Sequence, residues 1–122
     1  MLAYTVIGSN RKDEALAFYD ALLSELGGTR AFANDRIQFY SGGSGAMLAV
    51  GTPANGEHAA CGNGTMAALA CGDTATVDRV HAKAVELGAE NIESPNEGIP
   101  GVFYGGYFRD LDGNKICCAA FL

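Results

Sequence analysis

The stretch AYTVIGSNRKDEALAFYDALLSEL (residues 3–26) changes its hydrophobic period once, and that change sets the architecture. Ala3–Gly8 is a short apolar run suited to a strand. Asn10 then offers a helix N-cap, with Asp13 three residues on as a variant of the capping box. From Asp13 to Leu26 the apolar residues Ala15, Phe18, Tyr19, Leu22 and Leu26 recur at helical spacing, the stripe of an amphipathic helix. Gly27-Gly28 supplies its stop.

Working outward, three strand-like runs follow: Thr29–Ala33, Arg36–Tyr40 and Ala46–Gly51. Asn34-Asp35 and the stretch Ser41–Gly45 separate them as turns. The first half thus reads βαβββ. The second half repeats the order. Thr65–Ala70 is an apolar strand, and Gly72-Asp73-Thr74 is a turn carrying possible caps. Val77, Val80, Ala84 and Leu87 form a helical stripe that Gly88 ends. Ala89–Glu93, Phe103–Arg109 and Lys115–Phe121 are the remaining strands, joined by Pro95 through Pro100 and by Asp112-Gly113-Asn114. The organisation expected is a single domain over residues 1–122, with module one at 3–51, a polar small-residue linker at 52–63 and module two at 64–122. The fold class is α+β, two βαβββ modules forming paired half-barrel sheets around a cleft.

Composition narrows the function. The 122 residues are 48% hydrophobic and 18% charged, which suits a domain with a core and excludes a disordered chain. Eight Lys+Arg against fourteen Asp+Glu leave a net charge of −6, which argues against nucleic-acid binding and favours a cationic or neutral ligand over an anionic one. No apolar run reaches the ~18–20 residues of a membrane span. Met1–Gly8 is too short for a signal-peptide core, so the expected compartment is the cytoplasm, where thiols stay reduced. Cys61, Cys71, Cys117 and Cys118 contain no C-x-x-C pair and complete no zinc pattern with His58 and His81. They read as small hydrophobes. His81 belongs at the edge of the second helix's packed face, and His58 is read as a solvated or capping residue of the linker.

Three segments carry a family resemblance. Tyr4–Asn10 leading into Ala15–Leu23 is similar to a strand followed by an "AxxFYxxLL" helix. Gly62–Met66 opens the second half as in one glyoxalase-like branch. Tyr107–Ile116 (YFRDLDGNKI) is close to an "F-x-D-P-D-G-N-x-(I/L)-E" ending, with Leu111 where proline is usual. Together these resemble the glyoxalase/bleomycin-resistance/dioxygenase group, the vicinal oxygen chelate superfamily, from about residue 3 to 121.

The resemblance implies where the chemistry would lie. Metal-using members take one ligand from each of four strands lining the cleft, and the matching positions here are Tyr4, Ala49, Met66 and Cys117. Histidine or glutamine would be usual at 4 and 66, and glutamate at 49 and 117. Alanine has no donor, methionine is weak, and a phenol with pKa near 10 resists deprotonation. No metal and no other cofactor is expected. Tyr4, Phe39, Ala49, Met66, Tyr104, Phe108 and Cys117 become candidate ligand-binding residues lining an apolar, polarizable wall. Cys117 is also a candidate reactive thiol, with Lys115 on the same strand face. The implied function is a metal-free, glyoxalase-like protein binding a small organic molecule. The alternatives are a lyase or isomerase of the glyoxalase I kind and a protein-interaction module with a filled cleft. The family's habit of pairing modules between chains and the long linker imply a homodimer, the commonest soluble symmetry being C2.

Overall fold

The elements run β1 (Tyr4–Gly8), α1 (Lys12–Ser24), β2 (Thr29–Ala33), β3 (Ile37–Ser41), β4 (Met47–Gly51), β5 (Ala67–Ala70), α2 (Thr74–Glu86), β6 (Glu90–Ile99), β7 (Phe103–Arg109) and β8 (Lys115–Phe121) in a computed structural model that describes residues 1–122. The βαβββ order therefore occurs twice. The chain divides into two compact units, Met1–Cys61 and Gly62–Leu122. Each holds one helix and one four-stranded mixed sheet, with strand orders β1-β4-β3-β2 and β5-β8-β7-β6. This is the α+β class with two βαβββ modules.

In the first unit β1 runs parallel to β4, and β2, β3 and β4 are antiparallel neighbours. Strand parity sends Tyr40, Leu48 and Val50 to the side of α1, which buries Leu16, Tyr19, Leu22 and Leu23. Leu22 is fully buried, a contribution of about 1.5–3 kcal/mol. The helix ends as its glycines require: Gly27 has φ 73°, and the Gly28 N–H returns to the Leu23 carbonyl at 2.8 Å.

The start of α1 differs from the sequence reading. Arg11, not Asn10, occupies the N-cap position, and no side chain caps the helix there. Asp13 and Glu14 in the first turn still complement the helix dipole. Asn10 instead bonds to Ala59, far along the chain.

In the second unit the expected turn cap is present. The Asp73 carboxylate accepts from the Thr76 N–H at 2.8 Å, and the Thr76 hydroxyl first, then this backbone bond, lower its affinity for a proton. α2 buries Val77, Val80, His81 and Ala84 against Leu69, Phe108, Ile116 and Cys118. The Asp110–Asn114 turn is built on one buried carboxylate: Asp110 accepts from the backbone N–H groups of Asp112 and Asn114 at 2.9 Å each, and from the Asn114 side chain at 3.0 Å. One strand is longer than its sequence suggests. β6 continues through Pro95 to Ile99, where a connection was expected, because it is an edge strand whose pairing with β7 shifts register three times.

Candidate functional site

Each sheet has one face toward its own helix and one face away from it. In the first unit the face opposite α1 carries Tyr4 and Val6 from β1, Met47 and Ala49 from β4, Ile37 and Phe39 from β3, and Phe32 from β2. Phe39 is its centre. The Tyr4 ring meets Phe39 edge-on with centroids 5.0 Å apart, and the Phe32 ring stacks on Phe39 at 4.5 Å. Phe39 and Ala49 are buried, whereas Tyr4 is 48% and Phe32 56% exposed. The result is a partly solvated aromatic row. Three of the residues expected to line a site, Tyr4, Phe39 and Ala49, therefore share one face. Phe32 and Val6 join them unforeseen, since β2 offers no alternation that shows which way Phe32 points.

One end of this face is walled by the segment after β4. The Thr52 N–H donates to the Arg36 carbonyl at 3.0 Å, and Arg36 Nη1 donates back to the Thr52 carbonyl at 2.9 Å. Further on, Asn10 exchanges two bonds with the Ala59 backbone, at 2.9 and 2.7 Å. Two glycines permit the close fit. A Cβ on Gly8 would stand 2.7 Å from the Ala59 Cβ, and one on Gly51 would run into the Arg36 carbonyl and stand 2.6 Å from the Ile37 Cα. The depression is open to solvent and measures about 540 Å³, and Tyr4, Val6, Arg36, Ile37, Asn55 and His58 are among its lining residues. This is a size suited to a small ligand. Residues 52–60, read from sequence as a linker, are thus tied to the first unit. His58 is exposed, as a solvated linker residue would be, and it also lines the depression.

In the second unit the face opposite α2 carries Cys117 on β8, paired with Ala68 on β5 and Tyr107 on β7. Met66 immediately precedes β5 and is 45% exposed. Burial pushes the Cys117 thiol above its ordinary value, against the opposing pull of the Tyr107 hydroxyl. The Tyr107 phenol is also raised, by burial and then by Cys117. Lys115 Nζ sits 5.3 Å from the Tyr107 ring centroid. The direction of this shift is opposite to the one that activates a thiol as a nucleophile.

Tyr104 and Phe108 lie elsewhere. Both alternate with Tyr107 and so point toward α2. Phe108 is fully buried with its ring 6.4 Å from His81, and the Tyr104 hydroxyl donates to Asp78 at 2.7 Å. They belong to the helix–sheet packing and not to the face that holds Cys117. His81 is buried deeper than its expected edge position, with Nε2 3.2 Å from the Tyr107 carbonyl.

A doubled βαβββ unit, with an aromatic face beside a small depression in the first, defines an α+β class built from two modules. The sequence matches the family model of the Glyoxalase/Bleomycin resistance protein/Dioxygenase superfamily over residues 1–118, and the chain belongs to that superfamily. It is similar to a glyoxalase/bleomycin resistance protein from Albidiferax ferrireducens, at 34% identity and TM-score 0.88, with 98% of each chain covered. Lactoylglutathione lyase from Agrobacterium tumefaciens is 22% identical with TM-score 0.72, covering 98% of this chain and 92% of that one. A glyoxalase-related enzyme from Fulvimarina pelagi is 21% identical with TM-score 0.74, covering 98% and 87%. The last two likenesses speak for the fold alone. No match is found among curated proteins. No helix is long and apolar enough to cross a membrane.

Proposed function

We propose that this chain is a metal-independent member of its superfamily that binds a small organic molecule on the aromatic face of its first unit. One observation carries the reading. At the centre of β4, where metal-using relatives would carry a carboxylate, stands Ala49, fully buried and paired with Val6 and Phe39. The other matching positions do not fit a divalent ion either. Tyr4 packs its ring on Phe39, Met66 offers a neutral thioether, and burial raises the Cys117 thiol above its ordinary value. What remains is an apolar surface able to stack a planar or hydrophobic body. We further propose that the protein acts in the cytoplasm as a homodimer, which light scattering would read as twice the chain mass.

The test has two arms. Purified protein is assayed with methylglyoxal and glutathione, with Ni²⁺ or Zn²⁺ added, and turnover should not exceed the protein-free blank. Turnover well above that blank returns the chain to the glyoxalase I type of lyase. A broad panel of small aromatic and aliphatic compounds is then screened by thermal shift. At least one compound should raise the melting temperature, whereas a panel with no effect favours an interaction module.

A further inference from the structure

Three cationic side chains in this chain have an acidic neighbour. Arg30 makes two bonds to Asp20, both 2.9 Å; Arg11 lies 3.6 Å from Glu14; Lys83 lies 3.8 Å from Glu86. Arg36 differs. It is partly buried on the wall of the depression, and its only side-chain bond is the 2.9 Å one to the Thr52 carbonyl. That bond tethers Nη1 to the wall, while the other N–H donors of the guanidinium have no protein partner. Acids outnumber bases fourteen to eight in the sequence, yet no carboxylate pairs with this cation.

A tethered guanidinium beside apolar walls is a recognisable combination. The planar fork matches a carboxylate in two parallel bonds. Tyr4, Val6 and Ile37 line the same depression, and His58 adds a further hydrogen-bonding group. We propose that the depression binds a small organic carboxylate with an aromatic or apolar body, Arg36 engaging the carboxylate and Tyr4, Val6 and Ile37 receiving the body. This rests on the small-molecule reading above and narrows it to an anion. The net charge of −6 does not oppose it, because the long-range field is screened within about 8 Å at physiological salt, whereas Arg36 acts at contact. The sequence-level preference for a cationic or neutral ligand therefore yields to the local charge.

Two probes of equal shape test it. The isotope-labelled full chain is titrated with phenylacetate and, separately, with neutral phenylacetamide, following the backbone amides of Gly51, Thr52, Asn55 and Ala59. Phenylacetate should bind at least about ten-fold more tightly, as a charge-assisted pair predicts. Arg36→Gln should abolish that preference, and Arg36→Lys should retain part of it. Equal binding of both probes overturns the carboxylate assignment and leaves the small-molecule reading standing. A preference that survives Arg36→Gln overturns the role of Arg36. Shifts with neither probe overturn the site itself, and the compound panel then judges the wider reading by itself. Should Arg36→Gln fail to fold, the comparison of the two probes on the unaltered chain decides.

Discussion

Asn10 and Ala59, separated by 49 positions, exchange two hydrogen bonds: Asn10 Nδ2 donates to the Ala59 carbonyl at 2.9 Å, and the Ala59 N–H donates to Asn10 Oδ1 at 2.7 Å. A side-chain amide here imitates a strand partner, and it fastens the 52–60 segment beside the end of β1. Asn10→Ala should lower stability by about 1 kcal/mol, since such bonds compete with water at an exposed site. Hydrogen exchange at the Ala59 amide should accelerate by more than the global loss explains. Unchanged exchange there would mean the segment is held by other contacts.

The Asp20–Arg30–Tyr40 group makes a prediction about pH. Asp20 accepts two bonds from Arg30 and one from the Tyr40 hydroxyl at 2.8 Å. The Arg30 bonds, then Tyr40, hold the carboxyl below its ordinary value. A carboxylate depressed on folding contributes stability above about pH 4 and loses it as the pH falls through the folded value. Asp20 is 42% exposed, so solvent screening limits the contribution to about 0.5–1 kcal/mol. Urea midpoints from pH 7 to pH 3 should therefore fall more steeply for the native chain than for Asp20→Asn. Tyr40 works at the other end. Burial first, then Asp20, raises its phenol, so it contributes stability that is lost as the pH climbs above about 10.

The cysteines separate by exposure. Cys61 is exposed, and Cys71, Cys117 and Cys118 are buried. Burial raises Cys117, while the Cys71 bond and then burial raise Cys118. A thiol reagent at pH 8 should modify Cys61 rapidly and the other three only on unfolding. Fast modification of Cys117 in the folded chain, read by peptide mass, would restore the reactive-thiol role.

Titration with Zn²⁺, Ni²⁺, Mn²⁺ or Fe²⁺ checks the reading of Tyr4, Ala49, Met66 and Cys117. A competent site at 100 times its dissociation constant adds about 2.7 kcal/mol, a melting shift on the order of 10 °C for a domain of this size. A shift under about 2 °C is the expected result.

What the sequence made legible was local. The helical stripes, the Asp73 cap and the Asp110–Asn114 turn depend on residues a few positions apart, and each is where the pattern put it. What it hid was long-range. Asn10 had a good local reading as a cap, but Ala59 outcompeted it for the same side-chain atoms. The pocket wall at Thr52, Ala59 and His58 arises from contacts no periodicity encodes. The second half of β6, SPNEGI, has no apolar alternation, and only its pairing with β7 makes it continue the strand read at Ala89–Glu93. Register was the last loss. Phe108 and Tyr107 are adjacent and both aromatic, and a sequence of such residues does not say which one faces the helix.

That parity error yields the sharpest contrast between core and site. Phe108 is fully buried beneath α2, so Phe108→Ala should leave a cavity there and cost about 3–5 kcal/mol. Tyr4 is nearly half exposed at the start of an edge strand, with one ring contact to Phe39. Tyr4→Ala removes that edge-to-face pair, about 0.5–1.5 kcal/mol beyond the area it buries. The functional effects should run the other way. Phe108→Leu, a smaller perturbation chosen to keep the chain folded, should leave the affinity for any compound found by thermal shift within about two-fold. Tyr4→Ala should weaken that affinity by about ten-fold, because it removes one wall of the depression and one end of the aromatic row. Isothermal titration of both variants beside denaturant melts reads the two quantities separately. A ligand that senses Phe108 more than Tyr4 would place the binding surface away from the first unit's aromatic face, and the reading built on Tyr4, Phe39 and Ala49 would fall.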